Sequence, residues 1–90
     1  MLSRQPLPPS DIADRLLLHI LDDPELLSSL LGRSGLAPSQ LREVLTDTQA
    51  PEFILDFVTE SDDRVISCAE AIGVTPEQIG MAARISARRD

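Results

Sequence analysis

Between residues 10 and 88 the apolar residues recur at three- and four-residue intervals, and no stretch alternates apolar with polar as a strand would. Ile12, Ala13, Leu16, Leu17, Ile20 and Leu21 fall on one side of a helix placed over 11 to 21, with Ser10 as its cap and Asp11 and Asp14 in its first turn. A second helix is expected over 24 to 31: Asp22 or Asp23 caps it, Pro24 suits its first position, Leu26, Leu27, Leu30 and Leu31 form its stripe, and Gly32 ends it. Pro38 opens a third helix carrying Leu41, Val44 and Leu45. Thr46 or Thr48 then caps a fourth, with Pro51 in its first turn and Phe53, Ile54, Phe57 and Val58 inside. Ser61 begins a fifth over about 62 to 72, whose stripe of Val65, Cys68, Ala69 and Ile72 stops at Gly73. Thr75-Pro76-Glu77-Gln78 has the cap and reciprocal Gln of a capping box for a sixth helix running to about Arg88.

The fold class that follows is all-α: a small bundle of about six short helices in one domain over residues 10–90. Pro6, Pro8 and Pro9 make residues 1–9 an extended Pro-rich leader. A shift of 38 positions superimposes Gly35-Leu36-Ala37-Pro38-Ser39-Gln40-Leu41 on Gly73-Val74-Thr75-Pro76-Glu77-Gln78-Ile79. The same shift sets Leu16 on Ile54, Leu17 on Leu55, Ile20 on Val58 and Asp23 on Ser61. Two tandem three-helix units, 11–48 and 49–86, are therefore expected, each covering apolar faces that the other cannot bury alone.

The filling of those faces is aliphatic. Phe53 and Phe57 are the aromatic residues of a chain that is 42% hydrophobic and has no Trp or Tyr. Eight Arg, with no Lys, stand against fifteen Asp plus Glu, and the resulting charge of -7 repels nucleic-acid phosphates and anionic lipid, so neither is favoured as a partner. Cys68 is the single cysteine, which excludes an internal disulfide, and its apolar helix neighbours predict a buried, unreactive thiol suited to a reducing cytoplasm. No apolar run reaches the roughly 18 residues of a membrane span, and MLSRQPLPPS lacks the features of a signal peptide, so a cytoplasmic protein is expected.

Catalytic chemistry has few candidates. His19 is the sole imidazole, and its repeat counterpart Phe57 predicts a place at the edge of the core. Ser28, Ser29, Ser34 and Ser67 have no strand-turn-helix elbow around them and no second histidine to activate them. Asp22-Asp23-x-Glu25 and Glu60-x-Asp62-Asp63 begin helices and lack the alternating oxygen ligands and central Gly of a calcium loop. Gly32, Gly35, Gly73 and Gly80 never form a phosphate-cradling loop. No catalytic residue, metal or cofactor is expected. Ala69, Gly73 and Ile79 do have the spacing of a helix-turn-helix, but its second helix offers Glu77, Gly80 and Met81 to a groove, with positive charge only at Arg84, Arg88 and Arg89.

Asp23-Pro24-Glu25-Leu26-Leu27, Gly35-Leu36-Ala37-Pro38 with Leu41-Arg42, Pro51-Glu52-Phe53-Ile54-Leu55-Asp56-Phe57, and Asp62-Asp63 followed by Gly73-Val74-Thr75-Pro76-Glu77 and Ala83-Arg84 occur in an order and spacing that resembles the bacterial family called Domain of Unknown Function 3572, found mostly in alphaproteobacteria. The resemblance covers about residues 10 to 88, and the Pro-rich leader departs from it. It implies a compact helical protein of the bacterial cytoplasm and brings no activity or site residues.

Elimination thus leads to a non-enzymatic protein–protein interaction module, with an acidic helix-turn-helix DNA-binding regulator and a small enzyme built around His19 as the alternatives. The sequence leaves the partner's identity and the oligomeric state open. One residue marks a possible partner surface: Leu18 lies roughly 160° from Ile20 on the first helix, among Asp11, Asp14 and Arg15, and its repeat counterpart is the charged Asp56. It is expected either to lie exposed, as binding surface or without a role, or to be covered by the leader through Leu2 and Leu7.

Overall fold

A computed structural model describes residues 8–88. Six helices occupy them: α1 (Pro9–Asp22), α2 (Pro24–Ser34), α3 (Pro38–Leu45), α4 (Ala50–Thr59), α5 (Asp62–Ile72) and α6 (Pro76–Ala87). Five of the six carry Pro in the first turn, where the missing N–H would have no helical partner and the fixed φ is already that of the helix. Asp23 Oδ1 accepts from the backbone N–H groups of Glu25 and Leu26 at 3.0 and 3.3 Å, and Ser61 Oγ accepts from Arg64 at 3.3 Å. At the head of α6 the capping box closes both ways: Gln78 N–H donates to Thr75 Oγ1 at 3.1 Å and Thr75 N–H to Gln78 Oε1 at 2.8 Å.

Three boundaries differ from the sequence expectation. α1 starts at Pro9, inside the region assigned to the leader, because Pro8 in an extended conformation already presents its carbonyl to Asp11 and Ile12. Ser10 is consequently helical and caps nothing; residues 1–7 of the expected leader, with Leu2 and Leu7, lie outside the described residues. α2 runs through Gly32 and stops at Gly35, whose φ of 74° is the left-handed conformation that ends helices. α4 is preceded by Gln49 instead of a threonine cap: Asp47 Oδ1 accepts from Gln49 N–H at 2.9 Å, while Thr46 Oγ1 turns back to donate to Glu43 O at 2.8 Å and closes α3.

The core is the meeting of α1, α4 and α6, which pack on one another, with α5 laid against all three and α2 against α1. Leu16, Ile20, Ile54, Leu55, Val58, Cys68 and Ile79 are wholly buried there. Each large aliphatic among them contributes about 1.5–3 kcal/mol relative to exposure. Leu17 is only partly covered, and Leu21, placed on the apolar side of α1 by the helical period, is 48% exposed one residue before α1 ends.

The 38-residue correspondence is visible in local structure. α2 and α5 start and end 38 positions apart, as do the starts of α3 and α6, and Gly35 and Gly73 share the left-handed conformation. Ala37 N–H donates to Gln40 Oε1 at 2.8 Å as Thr75 N–H does to Gln78 Oε1, although Ala37 has no oxygen to return the bond. Packing is not equivalent. α6 lies against α1, α4 and α5, whereas none of the closer helix pairs includes α3, which enters the core through Leu41.

Candidate functional site

A side-chain network joins the ends of α2 and α4 to the start of α5. Arg33 Nε donates to Glu60 Oε1 at 2.9 Å, and its Nη2 to Oε2 of the same carboxylate. Arg64, 3.8 Å from Glu60, donates from Nη1 to Phe57 O at 2.6 Å and lays its guanidinium 4.1 Å from the centre of the Phe57 ring. Arg64 thus satisfies a carbonyl in the last turn of α4, which is a structural task. Arg33 is mostly exposed and its pair adds little to stability.

Cys68 is buried beneath a cleft of about 370 Å³ between α2 and α5, edged by Asp23, Glu25, Asp63 and Arg64. Burial pushes its thiol pKa up; Arg64 opposes the shift and Asp23 adds to it. A thiol held protonated is a poor nucleophile; of the carboxylates around it, Asp23 caps α2, and Glu25 and Asp63 lie in the first turns of α2 and α5. His19 is half-buried near the end of α1, at the margin of the core.

An apolar concavity lies elsewhere, between the start of α1 and the outer side of α6. Pro8, Pro9 and Ile12 form one wall and Met81, Ala82 and Ile85 the other, around a groove of about 450 Å³ with Glu77 and Gln78 at its α6 end. Met81 is 51% exposed and Ile85 43%. The α6 sequence explains why. At roughly 100° per residue Ile79, Ala82 and Ser86 share the buried side, while Met81 and Ile85 stand together on a second apolar strip that no helix of the described chain covers.

The model of the family described as Protein of unknown function (DUF3572) matches residues 8–87, a span that takes in all six helices. The chain belongs to this family. No curated protein and no solved structure matches it. In this DUF3572 chain Leu18, singled out in the sequence, is 67% exposed on the side of α1 opposite Leu16 and Ile20, with exposed Leu21 one turn further on. It does not join the α1–α6 groove. The sequence pattern does not point to this groove, and Met81 figures in it only as a residue a helix-turn-helix would offer to DNA. The available signal was the i, i+4 pair Met81 and Ile85, set off from Ile79, Ala82 and Ser86 on the same helix. Among the described residues no helix is long and apolar enough to cross a membrane, and no group of three or more His, Cys, Asp or Glu side chains is placed to hold a metal ion.

Proposed function

We propose that this chain is a non-enzymatic protein–protein interaction module whose contact face is the α6 side of the groove. The observation that carries this reading is a pair of large, half-exposed aliphatic side chains, Met81 and Ile85, beside an apolar wall of Pro8, Pro9 and Ile12. Such a strip is the anchor that helix-in-groove recognition uses. Leu18 and Leu21 are a second exposed apolar pair, with no groove beside them, and serve as the competing surface. The test compares three immobilised chains, wild type, Met81→Glu and Leu18→Asp, with unchanged circular dichroism as the entry condition. Proteins retained from the native cytoplasm are identified, purified and titrated against each. Loss of binding in Met81→Glu and retention in Leu18→Asp supports the α6 face; the reverse moves the site to Leu18.

A second reading, a helix-turn-helix reader of DNA, draws on the α5–α6 turn: Gly73 has φ 79°, Val74 N–H bonds to Ala69 O, and Ala69 and Ile79 are buried on two helices that pack together. Its recognition helix would present Met81 and Ile85 to the major groove on a chain of charge -7, which opposes it. A gel shift at low salt separates the two.

A further inference from the structure

On α6, Glu77, Gln78, Met81, Arg84, Ile85 and Arg88 all lie within roughly 60° of Met81 at 100° per residue. The outer strip therefore has an acidic start, an aliphatic middle and a basic end. Met81 and Ile85 stand out of it by about half their surface, and the groove beside them, walled by Pro8, Pro9 and Ile12, is a hollow for side chains of that kind. Protrusion and hollow on one face are the requirement for an isologous contact, in which the same patch serves both partners.

We infer that this face receives a second copy of the chain, the two α6 helices crossing antiparallel about a two-fold axis midway between Met81 and Ile85. The inference rests on the interaction reading above and names its partner. In that arrangement Met81 of one copy meets Ile85 of the other. Glu77, Arg84 and Arg88 lie on the same flank of the strip, and an antiparallel axis sets like flanks together, so Glu77 of each copy faces Arg88 of the other, while Arg84, one residue from the level of the axis, stands opposite its own counterpart. A parallel pair would bring Glu77 to the level of Glu77 and arginine to the level of arginine, with no opposite charges at one level. The face also carries two arginines against one carboxylate, so the net charge of -7 resides elsewhere on the surface and does not oppose close approach here. α6 has twelve residues, about 18 Å of helix, which places the contact in the small, reversible class of interfaces.

Sedimentation equilibrium of the full chain tests this. The wild type is expected to show a concentration-dependent monomer–dimer equilibrium. Met81→Glu sets two carboxylates against an apolar contact and should weaken association by about tenfold or more. Glu77→Arg puts a cation in the first turn of α6, so it is read only with unchanged circular dichroism; it should weaken association by about tenfold, and adding Arg88→Glu to it should restore much of the loss. A wild type that remains monomeric at all concentrations overturns the second copy as occupant; if its Met81→Glu variant then loses a different purified protein, the interaction reading survives alone. A dimer indifferent to both Met81→Glu and Glu77→Arg overturns the assignment of the face.

Discussion

Cys68 has a role that can be isolated cleanly. The chain contains neither Lys nor Tyr, so between the histidine and arginine ranges Cys68 is the one side chain that titrates. Burial raises its pKa above the ordinary 9.0, which means the folded chain holds the thiol proton more tightly than the unfolded chain does. The resulting stabilisation is complete below the ordinary value and is lost as pH rises through the raised one. Urea midpoints should accordingly fall above pH 9, and in Cys68→Ala that fall should disappear while the midpoint at neutral pH drops from lost packing. An identical alkaline slope in both proteins would place its origin elsewhere. The position was legible in the sequence because Val65, Ala69 and Ile72 define a helix face that includes it, and Arg64 stands one turn before it on the same helix; its neighbour across the α2–α5 cleft, Asp23, depends on tertiary packing and was not.

At the level of elements, two glycines three residues apart have opposite parts. Gly32 lies inside α2 with open space where a Cβ would go, and Gly35 ends the helix at φ 74°. Gly32→Ala should therefore stabilise by about 0.5–1 kcal/mol and Gly35→Ala destabilise by about 1 kcal/mol, read as opposite shifts of the thermal midpoint. A destabilising Gly32→Ala would mean that α2 ends where the apolar pattern alone suggested. Either glycine satisfies that pattern; the correspondence of Gly35 with Gly73 was the clue that decides between them. The start of α4 was harder, since Thr46, Asp47, Thr48 and Gln49 offer several oxygen acceptors in a row, and the choice falls to Asp47 through a turn that propensity does not specify. Helix number, type and most starts were readable because Pro and cap residues mark them locally. How the third helix of each half packs was not, because α3 and α6 have matching starts and differ in length and in their neighbours.

The whole molecule spends its aliphatic residues unevenly: α1, α4 and α6 share a closed core, yet α6 has a second apolar strip facing outward beside the first turn of α1. The sequence signalled an exposed leucine at 18 and missed this strip, since an exposed face is defined only once every neighbouring helix has been placed. The central claim is that Met81 is open in the single chain and covered when two chains meet. Met1 and Met81 are the two methionines, so a chain labelled with ¹³C at the methionine methyl groups gives a spectrum in which Met81 is assigned by its loss in Met81→Leu. A soluble paramagnetic agent should relax the Met81 methyl strongly in dilute solution and progressively less as the chain is concentrated. Equal relaxation at both ends of the concentration series would contradict the account.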